Sequence, residues 1–319
     1  MKRFVNLRRW LVIAFVVSLS GQAYSLAITP LTQVFLPPGI SNSQVRIKSL
    51  VAPGGAGGVG TGTVIDFKPD SSGPGGWVCV LTADHVIASD ATPFTYHEVS
   101  FGDIGGGGPT FTSTTGIVTL RGPWNGTSRV DLGMIGFYAA DLSTLPAITL
   151  PTLGGAAPGD VIDVDGYGLT ATLDGVNRRY LVNEGTYGNL LASFNVVDSN
   201  PLFTVTSGPT TYTYTSNRST VVFGPPGGTA IQANAHLLPG DSGGASWKLG
   251  TNTLVGVHSA SELIGSFGSR RVEEGYHWWD VRVESYRPWI EDACMVVPEP
   301  WPFLPLGIGV LVLLRRRRK

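Results

Sequence analysis

One stretch of the sequence has the makings of a nucleophile site: Pro239-Gly240-Asp241-Ser242-Gly243-Gly244. A serine sits in a tight turn, with an acid before it and small residues around it. Glycines let a backbone approach a ligand closely and adopt dihedrals that other residues resist. Acyl transfer needs both a projecting hydroxyl and backbone N–H groups aimed at the oxygen that becomes negative. A serine hydroxyl is a weak nucleophile at neutral pH, so it needs a base, and the base needs a group that fixes its tautomer. His85 is a candidate base. It closes the apolar run Trp77-Val78-Cys79-Val80-Leu81-Thr82 through Ala83-Asp84. Asp131 is a candidate orienting acid at the mouth of the apolar run 132–137. A carboxylate there must find partners or stay near water. Each has a plainer reading alone: an ordinary glycine turn, a core histidine, a turn-capping acid. His97, His236, His258 and His277 also occur, and His85 differs from them in its strand context.

The elements that must position these groups are short strands. Residues 44–50 alternate polar with apolar, as a half-buried strand does. Residues 61–65, 77–82, 117–120 and 130–137 add further strand-like runs. Turns rich in glycine or proline separate them at 53–60, 70–76 and 105–108. The 43 glycines and 22 prolines fit an all-β chain with many turns. Residues 142–160 read as a linker. Residues 203–223, rich in Thr and Tyr, read as an extended hairpin, the main insertion of the chain, or more plainly as a surface decoration. A substrate-binding flap is the other reading of that hairpin.

The ordered segments Thr82-Ala83-Asp84-His85, Asp131-Leu132-Gly133-Met134-Ile135 and Gly240-Asp241-Ser242-Gly243-Gly244 resemble the histidine, aspartate and serine boxes of the chymotrypsin/trypsin-like serine proteases. The separations are 46 and 111 residues. Gly166-Tyr167-Gly168, the run 254–259 and Tyr286-Arg287-Pro288-Trp289-Ile290 are similar to further landmarks of that family. They correspond to the opening of the second barrel, the strand lining the specificity pocket and the start of the C-terminal helix. The resemblance spans roughly residues 44–294. It implies two six-stranded antiparallel β-barrels, at 44–150 and 151–294, with a short C-terminal helix. It implies a triad of His85, Asp131 and Ser242 acting on protein or peptide substrates, with no metal or cofactor. The N–H groups of Gly240 and Ser242 would form the oxyanion hole, and Ser259 would hydrogen-bond Asp131. Asp241 would be buried beside a cation, either a new N-terminus or a basic side chain.

By the same resemblance, His236 lies at the base of the specificity pocket, and His258 and Ser261 lie on its wall. No acid stands at the base, so a choice of Lys or Arg is not expected. A preference for acidic side chains is the expectation, set against a structural role for His258.

The ends carry signals of their own. Residues 1–27 read as a secretory signal: basic residues, an apolar centre, then small residues at a cleavage spacing. Residues 28–43 look like a loose leader, a propeptide or an outer strand. At the other end Val297-Pro298-Glu299-Pro300 precedes an apolar run at 301–314 and five basic residues. This is similar to the PEP-CTERM sorting signal of Gram-negative bacteria, so residues 295–319 are expected to meet the membrane and an exosortase-type enzyme. The termini hold nine of the 22 basic residues, which leaves 13 against 23 acidic ones. No basic stripe remains to bind nucleic acid. Cys79 and Cys294 either form a bridge in an exported protein or stay free. A silent binding protein on the same scaffold and a structural matrix component are the competing functional readings.

Overall fold

The computed structural model describes residues 38–296 apart from 104, 175, 184, 224–234 and 267. The expected secretory signal, residues 28–37 of the leader and the sorting segment from 297 onward lie outside these residues. No helix among the described residues is long and apolar enough to cross a membrane.

The first sheet contains β1 (Gln44–Leu50), β2 (Gly57–Pro69), β3 (Gly76–Thr82), β4 (Tyr96–Phe101), β5 (Thr110–Thr112), β6 (Ile117–Arg121) and β7 (Gly133–Ala139). It is antiparallel, in the order β5-β4-β1-β2-β3-β7-β6. The alternation in β1 buries Val45 and Ile47 and exposes Lys48. The unbroken apolar run of β3 is buried on both faces, with Val78, Cys79, Val80 and Leu81 fully enclosed. Val78 and Val80 line the barrel's own core with Val45, Ile47, Val64, Ile135 and Phe137. Cys79 and Leu81 point the other way, toward the second barrel.

The connection carries β8 (Thr152–Leu153), which pairs in parallel with a strand of the second barrel. That barrel contains β9 (Val161–Gly166), β12 (Leu191–Ser199), β14 (Thr210–Thr220), β15 (Ala245–Lys248), β16 (Thr253–Ser261) and β18 (His277–Arg282). Pairing runs β12-β9-β15-β16-β18-β14 and back to β12, so six strands close the ring. β13 (Leu202–Ser207) extends it beside β14. A small extra sheet, β10 (Thr170–Asp174), β11 (Arg179–Asn183) and β17 (Arg271–Glu273), flanks the barrel. The all-β double-barrel expectation holds.

Three local expectations change. Residues 38–43 are not loose: Pro38–Ser41 form a short helix α1, and Ile40 is buried in the cluster between the barrels. The 203–223 hairpin is not a surface decoration. β14 is a wall of the second barrel, and Tyr212 and Tyr214 are buried between the two barrels. Met295 and Val296, read as tail, close the last helix, α3 (Val283–Val296). Cys79 on β3 and Cys294 on α3 form a disulfide across 215 residues, fastening that helix to the first barrel.

Candidate active site

β3 ends at Thr82, and a single helical turn, α2 (Asp84–Ile87), carries His85. The turn is locked from below. Asp84 is fully buried, and its carboxylate accepts hydrogen bonds from the Arg121 guanidinium, the Gly122 N–H and the Tyr212 hydroxyl. Burial pushes the Asp84 carboxyl up, and the Arg121 cation only partly offsets it. Arg121 also pairs with Asp90.

Asp131 lies just before β7 and is 2% exposed. One oxygen accepts the His85 backbone N–H at 3.0 Å, and the other lies 2.8 Å from His85 Nδ1. The Ser259 hydroxyl donates to that second oxygen. Burial opposes the charge of Asp131, but His85 and these donors outweigh it and hold the carboxyl below the usual range. Burial likewise opposes the imidazolium of His85. The Asp131 and Asp84 carboxylates outweigh it, and the imidazole is raised above its ordinary value. With Nδ1 bonded to Asp131, the neutral ring presents its lone pair at Nε2.

The loop of Ser242 comes from the second barrel and is pinned to the first. Thr61 N–H donates to the Ser242 carbonyl at 2.8 Å, and the Thr61 hydroxyl donates to the Gly240 carbonyl at 2.7 Å. Gly243 N–H donates to the His258 carbonyl at 2.8 Å. Gly243 has φ +85°, and a Cβ there would lie 2.1 Å from Thr82 Oγ1 and 3.0 Å from Ala83 N. Only glycine lets the loop lie against the strand end that leads into His85. A Cβ on Gly60 would meet both Val86 and the Ser242 carbonyl, which sets Ser242 beside the turn carrying His85. Among the described residues, Ser242 Oγ, His85 Nε2 and the N–H groups of Gly240 and Ser242 have no hydrogen-bond partner. The hydroxyl and imidazole are thus not bonded to each other. A loose nucleophile–base pair is common before substrate binds.

Asp241 is fully buried, and neither of its oxygens has a well-formed hydrogen bond among the described residues. Burial and the Asp165 carboxylate push its carboxyl well above the ordinary range, and the nearby Gly168 N–H opposes this weakly. A Cβ on Gly166 would lie 1.7 Å from Asp241 Oδ1, so Gly166 is the space the carboxylate occupies. The cation expected beside Asp241 is not among the described residues.

Among the expected specificity residues, His258 takes the structural one of its two readings. His258 is fully buried. Its Nδ1 pairs with Asp280 at 2.7 Å, and its Nε2 lies 3.0 Å from the Asp165 carbonyl. No ring nitrogen is left for a substrate, so His258 is a structural histidine. His236 is also fully buried, with Nε2 on the Glu262 carbonyl. Burial pulls its imidazole down to about 3, so it offers no cation at neutral pH. Ser261 is partly exposed at the end of β16. Of the two wall residues behind the acidic preference, His258 is taken up inside the protein and Ser261 alone stays accessible.

Sequence reasoning did not single out Asp84 as a buried anchor, nor Arg121, Tyr212 or Tyr214. The alternating Thr-Tyr-Thr-Tyr of β14 marks a half-buried strand, which was the one available signal. No group of three or more His, Cys, Asp or Glu side chains suited to a metal occurs among the described residues.

No protein-family profile and no curated protein matches the chain. Solved structures do. HL collagenase is 17% identical, with a TM-score of 0.50 over 83% of this chain and 97% of that one. Human heparin binding protein is 16% identical, with a TM-score of 0.50 over 85% and 98%. At such identities the likeness concerns the fold, and the chain has the double-barrel fold of the trypsin/chymotrypsin-like serine proteases.

Proposed function

We propose that the chain is a serine endopeptidase that cleaves protein or peptide substrates through His85, Asp131 and Ser242. The observation that carries this reading is the double grip of Asp131 on His85, through the backbone N–H and through Nδ1. That grip orients the ring and leaves Nε2 basic, as a general base requires.

In this mechanism Ser242 Oγ attacks the substrate carbonyl carbon and its proton passes to His85 Nε2. Asp131 stabilises the imidazolium without taking the proton. The free N–H groups of Gly240 and Ser242 receive the oxyanion, each such donor contributing about 3–4 kcal/mol in comparable sites. His85 then gives its proton to the leaving amine, and the acyl group stays on Ser242. Water attacks the ester by the same route in reverse. The Arg121–Asp84 pair keeps the His85 turn in place throughout.

On this reading the enzyme is exported under the direction of residues 1–27. It is sorted to a Gram-negative surface by its PEP-CTERM-like end, with an exosortase-type enzyme as processing partner. The sequence patterns at both termini support this. A chain truncated after residue 296 is then expected in the medium instead of the envelope fraction.

The test of the chemistry is a fluorophosphonate probe and casein hydrolysis. Labelling at Ser242 is expected, together with casein cleavage that Ser242→Ala abolishes. A folded wild type that neither labels nor cleaves would leave the silent binding protein as the better reading.

A further inference from the structure

The Leu202–Ser207/Thr210–Thr220 hairpin delivers two phenols to the side of the His85–Asp131 pair that faces away from solvent. β14 alternates strictly at its start. Thr210, Tyr212, Tyr214 and Ser216 are buried, while Thr211, Thr213 and Thr215 are partly exposed. Tyr212 donates to Asp84 at 3.1 Å and Tyr214 donates to Ser259 Oγ at 2.6 Å. The backbone of the same strand grips the segment that leads to Asp131. Arg129 N–H donates to the Thr211 carbonyl, and Thr213 N–H donates to the Arg129 carbonyl, both at 2.9 Å. One strand of the second barrel therefore holds the histidine turn, the aspartate segment and the serine that bonds the aspartate.

We propose that Tyr214 is a positioning residue for the His85–Asp131 pair, acting through the hydroxyl of Ser259; the proposal rests on the peptidase reading. A phenol has one proton to donate and, when buried, must spend it. Tyr214 is fully buried, and Ser259 Oγ is its acceptor. Burial and the Asp131 carboxylate keep it a neutral phenol. Ser259 then has its own proton free, and Asp131 Oδ2 accepts it. The chain runs one way, from Tyr214 to Ser259 to Asp131, and His85 Nδ1 donates to the same oxygen. If Ser259 instead donated to Tyr214, Asp131 would lose a donor and the phenol proton would be buried unpaired. Tyr214 therefore selects the rotamer of the Ser259 hydroxyl.

Removing only the phenol oxygen frees Ser259 to rotate. Asp131 then carries more uncompensated charge on the oxygen facing His85, so the imidazole becomes more basic and is held less firmly. Among the other charged groups, Asp84 acts on His85, Arg121 and Arg129 act on Asp84, and Asp280 from β18 acts on Tyr214. None of them is altered by the change. Tyr214→Phe keeps the ring that packs 5.5 Å from Phe203, so the fold has no reason to fail.

The experiment compares wild type, Tyr214→Phe, Ser259→Ala, the double variant and Phe203→Leu. Readouts are kcat, KM, melting temperature and an NMR titration of His85. Tyr214→Phe is expected to lower kcat about three- to tenfold, the worth of one hydrogen bond, with KM unchanged and the His85 midpoint moved up. In the Ser259→Ala background it is expected to change nothing further, because the path is already cut. Phe203→Leu, which disturbs packing but not the hydroxyl, is expected to leave the midpoint unmoved. The proposal is overturned if Tyr214→Phe leaves kcat and the titration unchanged. It is also overturned if the two single variants add in the double, or if Phe203→Leu shifts the midpoint equally. The titration needs no turnover. A wild type that fails to label at Ser242 would sink the peptidase reading, while a midpoint shift in Tyr214→Phe would still support the relay.

Discussion

Thr61 of the first barrel clamps the Ser242 loop of the second. Its N–H donates to the Ser242 carbonyl and its hydroxyl to the Gly240 carbonyl, while that hydroxyl accepts the Tyr167 N–H at 3.0 Å. The two barrels thus meet through one buried threonine at the point where a nucleophile and its base must be brought together.

Thr61→Val keeps the volume and the backbone N–H but removes the hydroxyl. It orphans a buried carbonyl at Gly240 and a buried N–H at Tyr167. The expected cost is about 1–3 kcal/mol, read as a lower midpoint in urea. Turnover is expected to fall more than stability alone explains, because the Gly240 N–H belongs to the same loop. Unchanged turnover at full occupancy of the fold would separate the clamp from catalysis.

The pH profile follows from His85. Its folded pKa is raised above the ordinary value of 6.5, and only the neutral ring accepts the Ser242 proton. Activity is therefore lost as pH falls through a midpoint above 6.5. The linkage to stability has the opposite sense. The charged His85–Asp131 pair contributes fully below 6.5 and its contribution fades as pH rises through the folded pKa. A plot of kcat/KM against pH checks the first statement, and melting temperatures from pH 5 to 9 check the second.

Asp241 behaves in the contrary way to a paired carboxylate. Its folded pKa is raised well above 3.8, so the unfolded chain releases the proton first. The folded state therefore loses stability as pH climbs above the ordinary carboxylate range. Asp241→Asn removes that dependence. It is expected to match wild type near pH 4 and to exceed it at pH 8 by about 1–3 kcal/mol. Thermal melts of the two proteins at both pH values decide this. A variant less stable at pH 8 would mean that a cation neutralises Asp241 in the working protein.

The disulfide is expected to matter for stability and little for chemistry. Cys79 and Cys294 close a span of 215 residues and hold α3 against the first barrel. Replacing both with serine is expected to cost about 2–4 kcal/mol, with kcat nearly unchanged because neither sulfur lies at the His85–Ser242 loops. Denaturant midpoints with and without reductant give the comparison.

The local patterns carried much of the architecture. The alternation of residues 44–50 and the closed apolar run of residues 77–82 reflect the period of a pleated strand, which depends on neighbours in the chain. The glycines at 240 and 243 were readable as a tight turn for the same reason. What was not readable is what each buried polar atom meets. His258 sits at a position that suggested a pocket wall. Asp280 and the Asp165 carbonyl, 22 and 93 residues away, take both its nitrogens. Tyr214 reads as a strand residue until Ser259, 45 residues later, stands 2.6 Å from it.

By itself, then, the chain determined its strands, its tight glycine turns and the order of three chemical segments, because those rest on dihedral preference and on hydrophobic period. The closing of two sheets decided the rest. Which carboxylate holds His85 and which hydroxyl a buried phenol meets depend on atoms brought together from distant parts of the chain. A buried polar group takes whatever partner packing puts within hydrogen-bond reach.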